Sequence, residues 1–242
     1  MNIKMKSALK RIMNIDMKRI QNSNLNENGI FIEFDESNIL NAKALIIGPK
    51  GTIYDNAYLF FNIEFPQNYP YSPPILTYKS QNKVRIHPNI YVNGKVCLSI
   101  LGTWSGPSWT HTMDITSVLL TIQSLLDNNP LQNEPGYEGN SKKTNIKILY
   151  DKYNKVIKYN TINSLILDRL TTDFEDFNIF KKTMIEYFNN NYENIYIKIK
   201  SNQNNVKEDI QIGIYKINIF IDYEYLKKKY ITLIKDINKF EL

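Results

Sequence analysis

The sequence predicts an α+β fold: a four-stranded antiparallel meander flanked by helices, followed by a mostly helical C-terminal extension. Three observations predict it. Four short apolar segments lie between residues 30 and 78, joined by short connections. Segments with helical spacing stand on either side of them. All nine prolines fall before Gly136, so the character of the chain changes near Gly139. The expected division is a core over residues 1–138 and an extension over 139–242 that packs on or beside it.

Residues 3–21 place Met5, Leu9, Ile12, Met13, Met17 and Ile20 at spacings of three and four, the stripe of an amphipathic helix. Its other faces carry Lys4, Lys6, Lys10, Arg11, Lys18 and Arg19. The Asn-rich stretch Gln21–Gly29 reads as a loop. Strands are expected at Ile30–Phe34, Ala44–Ile47, Tyr58–Phe65 and Ile75–Tyr78, with prolines held to the connections, where no ladder hydrogen bond is lost. Ile115, Val118, Leu119, Ile122, Leu125 and Leu126 share one helical face, with Asp114 as N-cap and Asn128-Asn129-Pro130 as the stop.

In the extension, Lys142–Tyr159 and Phe174–Phe188 have helical spacing. Ile195–Ile199 and Ile210–Phe220 alternate and read as strands or loose extended segments. Asp222 caps a final helix reaching Phe240. About a hundred residues exceed what packing helices and a passive tail require, so an accessory surface is expected there.

Hydrophobic content of 43% and charged content of 22% suit a packed globular core. One cysteine excludes an internal disulfide and fits a reducing compartment. The start, Met1-Asn2-Ile3-Lys4-Met5-Lys6, lacks an apolar signal-peptide core, and no apolar run approaches the ~20 residues of a membrane span. The expected location is cytoplasmic or nuclear, with no membrane partner. The net charge of +6 comes mostly from dispersed lysines, with arginine only at 11, 19, 85 and 169, so no nucleic-acid surface is expected.

The chemistry concentrates in His87-Pro88-Asn89-Ile90-Tyr91-Val92-Asn93-Gly94-Lys95-Val96-Cys97. A lone cysteine is usually a small buried hydrophobe, and a proline loop is usually only a stiff connection. Here an asparagine stands eight residues before the cysteine, across a tight Asn93-Gly94 turn that folds the chain back. A thiolate that attacks a carbonyl needs a donor for the resulting oxyanion, and an asparagine amide is one.

These residues resemble the ubiquitin-conjugating enzymes, whose mark is His-Pro-Asn, a variable loop with glycine, then Ile/Val-Cys-Leu. The likeness extends through Gly48-Pro49, Phe65-Pro66, Tyr69-Pro70 and Pro73-Pro74 before the cysteine, and through Ile122–Leu126 and Asn129-Pro130 after it. Gly102-Thr103-Trp104-Ser105-Gly106-Pro107-Ser108-Trp109 and Asn133–Glu138 are similar to the branch named ubiquitin-conjugating enzyme Z. Part of the pattern is shared by the very large inhibitor-of-apoptosis conjugating enzymes.

The resemblance implies Cys97 as acyl carrier and Asn89 as oxyanion donor or as the support of the loop, two roles the sequence leaves open. It implies His87 and Pro88 as structural support. It further implies ubiquitin, an activating enzyme, a ligase and protein substrates as partners, with a ubiquitin-like modifier as a second cargo of branch Z. No cofactor or metal is implied, because ATP is used by the activating enzyme. Lys6, Lys10 and Arg11 on the first helix, with Tyr71, Trp109 and His111, are the implied contacts with activating enzyme or ligase. Where the family has Trp-Ser-Pro-Ala this chain has Trp109-Thr110-His111-Thr112, and many members carry Phe at the place of Tyr71. Many also carry an acid just after Asn-Pro. Here Asn133 and Glu134 are the candidates for gating the acceptor lysine. In the Thr-Pro-Tyr-Glu-Gly-Gly turn of the family, this chain has Thr52-Ile53-Tyr54-Asp55-Asn56-Ala57. The competing reading is a non-catalytic module of the same fold, or a scaffold acting through the extension.

Overall fold

A computed structural model of the chain describes residues 3–139, 144–202 and 207–240. Helix α1 (Ile3–Arg11) runs through a π-helical segment (Ile12–Asp16) into α2 (Met17–Asn22). The wider π turn inserts a residue and resets the apolar stripe. Ala8, Ile12 and Asp16 become the innermost positions, and Met13, expected inside, is exposed. The side chain of Met5 lies outside the described residues.

Strands β1 (Ile30–Phe34), β2 (Asn41–Ile47), β3 (Tyr58–Glu64) and β4 (Ile75–Tyr78) form an antiparallel meander in that order. Leu45 pairs with Phe31 on one side and Phe60 on the other. Helix α3 (Ile115–Leu125) packs on the sheet with Ile115, Val118, Leu119 and Ile122 buried, and the Asp114 carboxylate accepts from the Ser117 amide at 3.0 Å. Gly48 is fixed by sterics, since a Cβ there would lie 1.9 Å from the Tyr54 carbonyl oxygen. In the reshaped turn Asn56 takes the left-handed conformation, φ 70°.

Among its described residues the extension is helical, with one short hairpin. Helix α4 (Thr144–Asn160) passes through a π segment (Thr161–Asp168) into α5 (Arg169–Thr171). The expected start at Lys142 lies outside the described residues. A 3-10 turn (Glu175–Phe180) leads into α6 (Lys181–Ser201). Ile195–Ile199 lies within α6 and is not a strand; Ile195 and Ile199 face the core at helical spacing. The alternation arises because Tyr196 and Ile197, half-buried and exposed, occupy the rim of the same helix. Strands β5 (Glu208–Ile212) and β6 (Ile217–Ile221) form a hairpin, and α7 (Tyr223–Phe240) starts where the Asp222 carboxylate accepts from the Tyr225 amide.

The extension explains an oddity of β3. Tyr58, Leu59, Phe60 and Phe61 are all buried, so the strand has no wet face at this end. Phe61 packs on Tyr78, ring centroids 5.5 Å apart. Phe60 is covered by the extension: Phe177 stacks on it at 4.5 Å, with Phe174 and Phe180 alongside. The buried Arg169 guanidinium lies 4.4 Å from the Phe60 ring and donates to the Lys79 carbonyl. Tyr58 donates to the Met184 carbonyl, and Lys198 pairs with Asp55. One continuous apolar cluster therefore runs through both halves of the chain.

Candidate active site

The Asn93-Gly94 turn folds residues 87–97 into an irregular hairpin, with isolated pairings His87↔Ile90 and Ile90↔Val96. Gly94 has φ 94°, and a Cβ on it would lie 2.7 Å from Thr77 Cγ2. The turn therefore sits flush on β4, and the Tyr78 amide donates to the Gly94 carbonyl at 2.8 Å.

This geometry brings Asn89 to Cys97. The Asn89 Nδ2 donates to the Cys97 carbonyl at 2.8 Å, and the Cys97 amide donates to the Asn89 carbonyl, also at 2.8 Å. The side-chain amide thus holds the backbone of the cysteine. One of its two N–H groups is used there, which leaves a second as a possible donor. Thr103, from the enlarged loop, closes the other side: its hydroxyl donates to the Val96 carbonyl and accepts from the Leu98 amide. Cys97 is only 1% exposed. Gly106, φ 133°, approaches Ser99 so closely that a Cβ would lie 2.9 Å from Ser99 Cβ, which folds the enlarged loop back beside the cysteine.

His87 is fully buried, and its Nδ1 accepts from the Asn89 amide at 3.0 Å. Burial pushes its pKa down to about 3, against the pull of the Leu125 backbone. The ring is neutral at physiological pH and shapes the loop. The Pro88 carbonyl accepts from the Arg85 guanidinium, which lies between two rings, 3.6 Å from Tyr91 and 4.5 Å from Tyr215. Tyr153 donates to the Arg85 carbonyl at 2.8 Å. In the segment after Asn129, Asn133 Nδ2 donates to the Pro130 carbonyl at 3.2 Å, and the Glu134 carboxylate accepts from the Tyr215 hydroxyl at 2.6 Å. Both candidate gate residues are half-buried.

The expected partner surface divides. Lys6 and Lys10 are exposed on α1, but Arg11 is turned inward. It donates to the carbonyls of His111 and Met113 and pairs with buried Asp16 at 3.0 Å. Arg19 donates to the Thr112 carbonyl and pairs with Asp114 at 2.8 Å. The two arginines clamp the 111–114 loop, so Arg11 is not offered as a free basic contact. Trp109 is half-buried and donates to the Pro70 carbonyl at 2.6 Å. Tyr71, 75% exposed, and His111, also exposed, stand together with ring centroids 6.3 Å apart. Arg85, Thr103, Tyr153 and Tyr215 were not singled out by sequence reasoning. The roles of Arg85, Tyr153 and Tyr215 depend on contacts across up to 130 positions, for which no local pattern exists; Thr103 acts locally, on Val96 and Leu98.

A family model described as ubiquitin-conjugating enzyme matches residues 12–161. The chain belongs to the ubiquitin-conjugating enzyme family. It is 38% identical over 166 residues to ubiquitin-conjugating enzyme E2 Z of Danio rerio, covering 66% of this chain and 49% of that protein. It is 42% identical over 144 residues to the Homo sapiens protein of the same name, covering 59% and 40%. Probable ubiquitin-conjugating enzyme protein 17 of Caenorhabditis elegans is 40% identical over 157 residues, covering 62% and 21%. The chain thus spans half or less of the length of these relatives. The family match includes His87, Pro88, Asn89 and Cys97 and ends inside the extension. Among the described residues no helix is long and apolar enough to cross a membrane, and no cluster of His, Cys, Asp and Glu could hold a metal ion.

Proposed function

We propose that the chain carries ubiquitin as a thioester on Cys97 and passes it to a lysine of a protein substrate, usually with a ligase. The observation that supports this most directly is the reciprocal pair of hydrogen bonds between Asn89 and Cys97, within a segment that matches the family and retains the cysteine. In the first step the Cys97 thiolate attacks the C-terminal thioester carbonyl of ubiquitin held by the activating enzyme. A new C–S bond forms, the old one breaks, and the activating enzyme's thiolate leaves. In the second step a neutral lysine amine attacks the Cys97 thioester. The amide forms, the Cys97 thiolate leaves, and the ammonium loses its proton to water. ATP is consumed by the activating enzyme, and this chain needs no cofactor.

Asn89 serves first as a brace for the Cys97 backbone, and its remaining N–H is the donor available to an oxyanion. His87 acts structurally, because a buried neutral ring bonded to the Asn89 amide is no general base for an incoming lysine. Because Cys97 is buried, the local structure must open when the ubiquitin tail enters. A cytoplasmic or nuclear location fits this chemistry. The retained cysteine and its brace disfavour the non-catalytic alternative. Incubation with activating enzyme, ATP and ubiquitin tests the reading on non-reducing gels. A thiol-sensitive adduct is expected, and Cys97→Ser should give a thiol-resistant oxyester or none. A reducible adduct on Cys97→Ser would overturn it.

A further inference from the structure

The hairpin of the extension reaches the turn between Asn89 and Cys97. Between β5 and β6, residues Ile214, Tyr215 and Lys216 line an open cleft of about 350 Å³ together with Arg85, Tyr91, Val92 and Asn93. Tyr215 makes three contacts there. Its hydroxyl donates to Glu134 at 2.6 Å, its ring lies 4.5 Å from the Arg85 guanidinium, and it meets the Tyr153 ring edge-on at 5.6 Å. Arg85 in turn donates to the carbonyl of Pro88, one residue before Asn89. The Arg85 side chain is thus oriented by two rings and one carbonyl acceptor.

The geometry points to Tyr215 as a positioning residue for transfer, coupling the Pro130–Glu134 segment to the Arg85–Asn89 segment, whose Asn89 braces the cysteine. This rests on the thioester reading above. The physical reason is that transfer depends on the relative placement of acceptor and thioester. Small displacements of the segments that place them lower the rate without removing any reacting group. The hydroxyl fixes the Glu134 side, while the ring, through cation–π contact, fixes the Arg85 side. A Phe retains the second link and loses the first, whereas an Ala loses both.

Charging of Cys97 and discharge to free lysine are measured separately on the full chain, with melting temperatures. Tyr215→Phe is expected to slow discharge relative to charging by about 3–10-fold, and Tyr215→Ala by more than tenfold. The lysine concentration giving half-maximal discharge should stay the same in Tyr215→Phe, since placement and not lysine binding is altered. Tyr215→Phe combined with Glu134→Ala should be no slower than the slower single variant, because both cut one link. Discharge by Tyr215→Phe at the unmodified rate, or a double-variant loss equal to the product of the singles, overturns the proposal. So does an equal loss of charging and discharge that tracks a lowered melting temperature. If the unmodified protein takes no ubiquitin at all, the thioester reading itself fails, and this inference falls with it.

Discussion

The Asn89 side-chain amide donates to the Cys97 carbonyl at 2.8 Å while the Cys97 amide donates back to the Asn89 carbonyl at the same distance. The asparagine is therefore part of the cysteine's own scaffold. Asn89→Ala leaves the Cys97 carbonyl without its buried donor, at a cost of about 1–3 kcal/mol. The expected outcome is a lower melting temperature and a comparable slowing of charging and discharge. A loss confined to discharge, measured in single-turnover assays, would show that oxyanion stabilisation dominates.

Cys97 is closed over, so its thiol reacts only when the local structure opens. An opening of about 1–3 kcal/mol makes alkylation roughly 5–150-fold slower than that of a free thiol. Iodoacetamide labelling followed by mass spectrometry should show this lag. Thr103→Ala, which removes the hydroxyl between Val96 and Leu98, should shorten it.

His87 sets a pH dependence of stability. Its folded pKa, about 3, lies below the unfolded value of about 6.5. The unfolded state therefore binds the extra proton between those values. The stabilising contribution is complete above pH 6.5 and declines by about 1.4 kcal/mol per pH unit as pH falls toward 3. Denaturant midpoints taken between pH 7 and 4.5 should fall less steeply for His87→Gln than for the unmodified protein.

Arg11 holds two loop carbonyls and the buried Asp16. Arg11→Ala leaves that carboxylate buried without its cation, a loss of about 3 kcal/mol or more. Adding Asp16→Asn should recover part of the lost melting temperature. If the double variant is no more stable than Arg11→Ala, the cost lies in the loop carbonyls instead.

His111 and Tyr71 form an exposed pair where a ligase contact is expected. Desolvating an imidazole with no assured partner weakens such a contact. RING-type ligases should stimulate discharge weakly, and His111→Pro with Thr112→Ala should increase the stimulation. Strong stimulation of the unmodified protein, unaltered in the double variant, would count against this.

Phe60 stacks on Phe177 at 4.5 Å and joins the extension to the sheet. Phe177→Ala should lower stability by about 3–5 kcal/mol. Chemical denaturation should still show a single transition, as one shared apolar cluster requires.

Local chemistry made much of this legible. The meander followed from apolar patterning and from prolines confined to connections, and the α3 cap from Asp114 before a helical stripe. The approach of Asn89 to Cys97 followed from an Asn-Gly turn between them. The expectation failed where neighbours in space overrode local pattern. The π turn at Ile12–Asp16 moved Met13 outward, and the alternating Ile195–Ile199 was drawn into a helix because its apolar residues pack at helical spacing on the shared core.

The residues of 87–97 determined by themselves that Asn89 and Cys97 would meet, because a tight turn joins them at short range. Distance in sequence decided the rest. Nothing near Tyr58–Phe61 announces that the second face of that strand is covered by Phe174, Phe177 and Phe180. Nothing near Arg85 announces that Tyr215, 130 positions on, flanks its guanidinium. Only the packed fold aligns such rings, because burying apolar area is non-directional and leaves the choice of partner to tertiary geometry.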